Sequence, residues 1–347
     1  LAVALFAASQ YFSPIILRDI IESPQVYGAT VDYLHWRTYG IFFSFLCVMF
    51  RAYYVGITQT KILTVNSIVM LLSNVALNYC LIFGKGGFPA AGIAGAAIAS
   101  SVSEAVSLLF FIIYTSMTAD KRKYGFRRAF TLRPHLLKGM LSISGWTMVQ
   151  SFISVSIWFI FFLAIEHLGE RPLAVTNIVR NISALLIMVI SAFATTAGAL
   201  ISNQIGAGEQ RCLFKTCGMT LKLTYAILIP LLIILCLFPE PVLRAFTDSP
   251  SLIAASVNSV YVMASSTLIM APSFILFNAV SGTGNTKAGF IMEMISLAVY
   301  TAVIYYGIIR LKPDVALCWF SEHVYGVTLI ILAWWYLKSG KWRGKKV

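Results

Sequence analysis

Residues 217–238 read CGMTLKLTYAILIPLLIILCLF, and Lys222 carries the only charge in this run. A helix of about 20 mostly apolar residues crosses the hydrocarbon core of a bilayer, which is about 30 Å thick. Nine further runs of this kind occur along the chain, so the sequence predicts ten membrane-spanning helices. The other nine runs cover approximately residues 1–17, 38–57, 63–83, 95–117, 141–165, 173–203, 254–280, 288–309 and 315–337.

The composition of the whole chain also indicates a membrane protein. Apolar residues make up 59% and charged residues 11%, with a mean hydropathy of +0.83. Soluble proteins have about 45–50% apolar and about 25% charged residues. Too little polar surface remains to solvate a globule of 347 residues. We therefore expect an all-α membrane protein.

Basic residues are concentrated in two segments outside the apolar runs, residues 119–138 and 338–346. The net charge is +13, but this distribution is typical of membrane topology and not of nucleic-acid binding. Six predicted helices separate the two segments, so both lie on one side, which the positive-inside rule identifies as the cytoplasm. We therefore expect a multi-pass plasma-membrane protein with a cytoplasmic C terminus and no nucleic-acid partner. The same alternation places Arg37 in an external loop.

Nothing in the sequence indicates an enzyme. The six cysteines include no CxxC pair, the four histidines lack the spacing of metal ligands, and no HExxH motif occurs. We therefore predict no catalytic residues, no metal centre and no cofactor.

An internal repeat divides the chain into two halves. FRA at 50–52 and GITQTK at 56–61 are matched by FNA at 277–279 and GTGNTK at 282–287. Duplicated halves with a substrate site near the membrane midplane are common in secondary transporters. The second half has six predicted helices and the first only four, and Leu1 already lies in an apolar run. We therefore expect two further helices before this N terminus.

These limits give four predicted parts of the chain. Residues 1–117 form an N-terminal bundle of four helices, and residues 118–138 form a basic cytoplasmic linker. Residues 139–338 form a C-terminal bundle of six helices, and residues 339–347 form a basic cytoplasmic tail.

Several motifs resemble the multidrug and toxic compound extrusion (MATE) family. They are LNYCLIFG at 77–84, GIAGAAIAS at 92–100, ISNQIGAG at 201–208, SGTGNTK at 281–287 and GKWR at 340–343. The resemblance implies a MATE-like two-bundle transporter with ten of its twelve transmembrane helices present. It implies export of drugs or other small organic compounds by alternating access, in exchange for Na⁺ or H⁺.

The family resemblance also sets expectations for partners. It implies cationic, amphipathic small-molecule substrates, contact with membrane lipid, and no cofactor besides the coupling ion; we expect a monomer. Two alternatives stay open: a flippase for lipid-linked intermediates from the same superfamily, and a non-transporting membrane fragment.

Polar side chains inside a membrane span are costly and usually face a cavity or a neighbouring helix. Glu104 lies near the middle of the fourth run, and we predict that it binds the coupling ion together with Asn74, Asn78 and Ser100. Asn74 matches an asparagine of the family, whereas Asn78 stands where many members have an aspartate, so the resemblance does not identify the ion. A structural role for Glu104, with its carboxyl group paired to a neighbouring helix, is the alternative.

A second polar face predicts the substrate path. Gln150, Ser154 and Trp158 recur at four-residue spacing, and we place Arg180 and Glu322 on the same path. Arg180 opposes the binding of cations unless it is paired, so anionic or zwitterionic substrates stay open. We interpret Glu293, which lies nearer to a helix end, as structural.

Overall fold

The structure is a computed structural model that describes residues 2–20, 24–118, 134–340 and 342. All regular secondary structure within these ranges is helical. The chain divides into two compact units, Leu1–Thr131 and Leu132–Val347. Most of the basic linker predicted at 118–138, and most of the basic tail predicted at 339–347, lie outside the described residues.

The N-terminal unit contains four helices. They are α1 (Ala2–Ile20), α2 (Pro24–Gly56), α3 (Lys61–Phe83) and α4 (Gly92–Thr118). The central helix is α4, because both α2 and α3 pack extensively against it. Gly84 ends α3 with a left-handed backbone (φ 66°), a conformation that glycine adopts without a steric penalty.

The C-terminal unit contains helices α5 to α12. They are α5 (Pro134–Glu166), α6 (Glu170–Gly206), α7 (Leu213–Leu237), α8 (Pro239–Arg244), α9 (Pro250–Gly282), α10 (Thr286–Val303), α11 (Val315–Cys318) and α12 (Ser321–Ser339). A π-helical segment, Ile304–Arg310, continues α10. The central helix is α9, which packs against α6, α7 and α12 and has the largest share of buried residues.

Nine of the described helical spans are long and apolar enough to cross a membrane, and the first predicted run forms a shorter apolar helix, Ala2–Arg18. The predicted limits were wrong in two places. The helix predicted at 38–57 begins at Pro24, so Arg37 lies inside α2 and not in a loop. The helix predicted from residue 141 begins at Pro134, within the predicted linker. The last predicted run, 315–337, corresponds to the span Val315–Ser339, within which a turn separates α11 from α12.

Two glycines allow the close crossing of α6 and α9, the most extensive helix contact in the structure. A Cβ atom on Gly282 would lie 2.5 Å from the carbonyl oxygen of Gly198. A Cβ atom on Gly198 would lie 2.9 Å from the carbonyl oxygen of Asn278. Because both obstacles are backbone atoms, the helices would have to separate to admit a side chain. Small residues at helix crossings are a main source of packing energy in membranes.

We expect Gly282→Ala to destabilise the C-terminal unit by about 1–3 kcal/mol, the usual cost of overpacking. The measurement is the thermal denaturation of the purified protein in detergent. The matched control is Gly218→Ala, because a Cβ atom on Gly218 in α7 would meet nothing within 4 Å. Equal melting temperatures for the two variants would contradict the close crossing.

Candidate functional site

A chain of polar side chains joins α3 to α4 in the N-terminal unit. Asn78 Nδ2 donates to Asn74 Oδ1 at 2.9 Å, and Asn74 Nδ2 donates to Ser100 Oγ at 3.4 Å. The Oδ1 atom of Asn78 is buried and has no hydrogen-bond partner among the described residues. The structure therefore brings together three of the four residues predicted to bind the coupling ion.

Glu104, the fourth, pairs with a different helix. Its Oε1 atom lies 2.7 Å from Arg37 Nη2, and its Oε2 atom lies 3.0 Å from Arg37 Nη1. The pair is bidentate, and the Glu104 side chain is only 8% exposed. Gly40 lies beside the pair, and a Cβ atom there would collide with both charged groups. In this structure Glu104 therefore joins α4 to α2, and it makes no hydrogen bond to the asparagines of α3.

A cavity of about 520 Å³ lies within the C-terminal unit. Its lining comes from α5, α6, α9 and α12 and from the turn that joins α11 to α12. The lining includes the aromatic rings of Trp158 and Trp319, the side chain of Met270, and the charged side chains of Arg180 and Glu322. Three of the five residues predicted for the substrate path therefore line one cavity.

The two charged side chains of the cavity do not form an ion pair. The guanidinium of Arg180 lies 5.2 Å from the ring centre of Phe162. The carboxyl group of Glu322 instead accepts a hydrogen bond from Tyr300 Oη at 2.9 Å. Arg37–Glu104 is the only ion pair within the described ranges. The cavity therefore presents one positive and one negative group to a solute.

The remaining two residues of the predicted path lie outside the cavity lining, and one of them, Ser154, contacts Glu293. Ser154 Oγ lies 2.9 Å from both the backbone oxygen of Gln150 and Oε1 of Glu293. Tyr325 Oη donates to the same Oε1 atom at 2.8 Å. Glu293 is 3% exposed. From the sequence we interpreted Glu293 as structural because it lies nearer to a helix end.

Glu293 and Glu322 are each bound by a tyrosine, and the two tyrosines are in contact. The rings of Tyr300 and Tyr325 meet edge to face, with centroids 5.8 Å apart. A sequence signal existed: Glu293 and Tyr300 are seven residues apart on α10, and Glu322 and Tyr325 are three apart on α12. Residues at these spacings share a helix face. We missed it because a tyrosine does not interrupt an apolar pattern.

The helices are long and apolar enough to span a membrane, and polar groups face one another inside each unit. These features are typical of polytopic membrane transporters. No group of three or more His, Cys, Asp or Glu residues within the described ranges could hold a metal ion. The family model described as MatE matches residues 1–80 and 147–306, which is well over half of the chain. The chain belongs to this family, whose members are transporters and not enzymes.

Individual relatives agree with this assignment. The chain is 26% identical over 291 residues to a probable multidrug resistance protein, NorM, of Thermotoga maritima, covering 79% of this chain and 59% of the relative. It is 25% identical over 268 residues to YisQ, an uncharacterized transporter of Bacillus subtilis, covering 74% of this chain and 56% of the relative. The chain thus spans less than three fifths of the length of these curated relatives.

Solved structures confirm the predicted fold. An outward-facing multidrug resistance transporter of the MATE family and MOP superfamily superposes with a TM-score of 0.85, at 16% identity, covering 98% of this chain and 76% of that chain. A MOP superfamily transporter from Pyrococcus furiosus gives a TM-score of 0.82, at 16% identity, covering 98% and 77%. The all-helical, MATE-like fold is therefore confirmed.

Proposed function

We propose that this chain acts in a cation-coupled antiporter that exports drugs or other small organic compounds across the plasma membrane by alternating access. The observation that carries the proposal is the cavity of the C-terminal unit, where aromatic rings and two unpaired charges converge inside membrane-spanning helices. The NorM relative is named as a probable multidrug resistance protein, which supports the same class of substrate.

The size and lining of the cavity suit a small amphipathic molecule. Ligand pockets commonly have volumes of about 300–1,000 Å³ and combine apolar walls with a few polar groups. The ring of Trp158 provides a flat surface for an aromatic solute and attracts organic cations through its face. Glu322 provides a negative group for the cationic end of such a solute. These features favour the cationic, amphipathic substrates that the family resemblance implies.

The coupling ion, Na⁺ or H⁺, is proposed to bind in the N-terminal unit at Asn74, Asn78 and Ser100. The support is the buried Oδ1 atom of Asn78, which lacks a partner among the described residues and offers a free acceptor. Glu104 lies one helical turn beyond Ser100 on α4 and stays in the proposal as the nearby carboxyl group. Its participation requires that it exchange Arg37 for the ion.

The proposed setting of the protein follows from the charge pattern of the chain. We propose a monomer in the plasma membrane with a cytoplasmic C terminus, which contacts lipid and small-molecule substrates and no nucleic acid. The support is the excess of basic residues in the two segments 119–138 and 338–346.

We expect Trp158→Ala to weaken binding of ethidium, an aromatic cation, by about tenfold, because an aromatic face contributes about 1–2 kcal/mol to binding a desolvated cation. Binding is measured by ethidium fluorescence with purified protein, and transport by efflux from proteoliposomes in a Na⁺ or pH gradient. The matched control is Trp334→Ala, because Trp334 is exposed on α12 and packs on Phe214 outside the cavity. Equal ethidium affinity in the two variants would contradict the cavity as the substrate site.

A further inference from the structure

We propose that the cytoplasmic end of α7 forms a binding site for an anionic phospholipid, whose phosphate group is held by Arg211, Lys215 and Lys222. This inference goes beyond the proposed export function. It rests only on the proposed orientation, which places the start of α7 at the cytoplasmic leaflet. The lipid acts here as a bound ligand of the protein and not as a transported solute.

The three residues form a basic face along the first half of α7. Lys215 and Lys222 are exposed, and Arg211 is exposed in the helical turn that precedes α7. Spacings of four and seven residues place these side chains on one side of the helical span. Helix α7 packs on α6 and α9 with the opposite side, where Cys217 and Thr224 are buried. The basic face therefore points toward lipid and not into the helix bundle.

Lys222 lies deep in the span for a charge that faces lipid. It is nine residues beyond Leu213, the first residue of α7, which is about 14 Å along the helix axis. A charge in the hydrocarbon region is costly, and most such side chains face a cavity or another helix. Lys222 forms no ion pair with the described residues. Its flexible stem can carry the ammonium group toward the headgroup region, where a lipid phosphate is the available counter-charge.

An aromatic pair flanks the basic face. Phe214 of α7 contacts Trp334 of α12, with ring centroids 5.2 Å apart, and both rings are exposed. Lys338 lies one helical turn beyond Trp334 and is also exposed. Tryptophan rings and lysine side chains are favoured where lipid headgroups meet the hydrocarbon region. The cytoplasmic ends of α7 and α12 therefore have the composition of a headgroup-binding surface.

The basic face of α7 becomes apolar beyond Lys222. Ile229 and Ile233 follow Lys222 by seven and eleven residues, close to two and three helical turns, and both are exposed. Gly218 lies between Lys215 and Lys222 on this face, and a Cβ atom there would meet nothing within 4 Å. The surface therefore has room beside both lysines. Its order along the helix, basic and then apolar, matches the headgroup and acyl chain of one phospholipid.

The distribution of negative charge favours a lipid over a second copy of the chain. Within the described ranges, Glu209 is the one acidic side chain exposed at the cytoplasmic end of the C-terminal unit. The other exposed acidic residues of this unit lie toward its opposite end: Glu166, Glu170, Glu240, Asp248 and Asp314. A second copy in the same orientation therefore offers little negative charge to the basic face. Anionic lipids of the cytoplasmic leaflet provide that charge.

The test is the binding of phosphatidylglycerol to the purified protein in detergent, measured by native mass spectrometry with neutral phosphatidylcholine as the reference lipid. Each basic residue near an anionic headgroup contributes about fivefold in affinity, which corresponds to about 1 kcal/mol. We therefore expect Lys222→Gln to weaken phosphatidylglycerol binding by about fivefold. The triple variant Arg211→Gln/Lys215→Gln/Lys222→Gln should weaken it by about a hundredfold. Binding of phosphatidylcholine should not change, and Lys222→Arg, which keeps the charge, should bind like wild type.

The matched control is Lys61→Gln, which removes an exposed basic residue from the start of α3, at the cytoplasmic end of the N-terminal unit. Equal losses in Lys61→Gln and Lys222→Gln would overturn the proposal, because they would show a general attraction to basic surface. Displacement of the lipid by inorganic phosphate would overturn it too, and so would a dimer that wild type forms without lipid and the triple variant does not. Wild-type proteoliposomes that move no dye would instead contradict the proposed function, because lipid binding in detergent does not depend on transport.

Discussion

Arg37→Gln is expected to destabilise the N-terminal unit by about 3 kcal/mol, and the double variant Arg37→Gln/Glu104→Gln by much less. Removing one partner of a buried ion pair leaves the other charge uncompensated, which typically costs about 3–5 kcal/mol. We take the lower end because the Arg37 side chain is 34% exposed, whereas that of Glu104 is only 8% exposed. Because Arg37 is the more exposed partner, it is better solvated when left unpaired. Glu104→Gln alone should therefore destabilise the N-terminal unit less than Arg37→Gln. The measurement is denaturation of the purified protein in detergent as a double-mutant cycle.

Dye efflux from proteoliposomes gives a second check, because it tests the ion-coupling role of Glu104. Unchanged efflux in Glu104→Gln would leave Glu104 with a structural role only.

The sequence predicted the helical fold well because lipid imposes one simple condition on it, a run of about 20 apolar residues per span. The predicted start of α2 was wrong, because Asp32, His35 and Arg37 lower the local hydropathy there. The carboxylate that balances Arg37 is Glu104, 67 residues further along the chain. An ion pair of this kind stabilises a charged side chain inside a membrane span. The hydropathy of neighbouring residues does not reveal the pair, because the partner is distant in sequence.

Sequence analysis proposed individual residues for the candidate site but not their grouping. Trp158, Arg180 and Glu322 come from three helices and meet in one cavity. Ser154 instead contacts Glu293, which we had considered structural. Periodicity shows which residues share a face of one helix, but the face that each helix presents to its neighbours depends on packing between distant segments. The spacing placed a glutamate and a tyrosine on one face of α10 and of α12, but which carboxyl group meets which tyrosine is visible only in the structure.

The charge of Arg180 bears directly on which solutes the cavity accepts. Its guanidinium contacts the ring of Phe162 and forms no ion pair with the described residues, so its positive charge acts on any solute in the cavity. Two unit charges about 8 Å apart interact by about 2 kcal/mol at an effective dielectric constant of about 20. That energy corresponds to a factor of about 30 in affinity. Arg180 should therefore make the affinity for a monovalent cation lower than Trp158 and Glu322 alone would give, and it should favour solutes that also carry a negative group.

We expect Arg180→Gln to strengthen binding of ethidium by about tenfold and to weaken binding of a zwitterionic fluoroquinolone by a similar factor, allowing for partial screening by water. Equilibrium binding to the purified protein measures both affinities. The matched control is Arg171→Gln, because Arg171 is exposed at the start of the same helix, outside the cavity lining, and donates only a 3.4 Å hydrogen bond to the Ser251 backbone. Equal preferences in wild type and Arg180→Gln would remove Arg180 from the substrate path. Reversal of the charge preference, with Arg171→Gln unchanged, would establish that this cavity selects its solutes by charge.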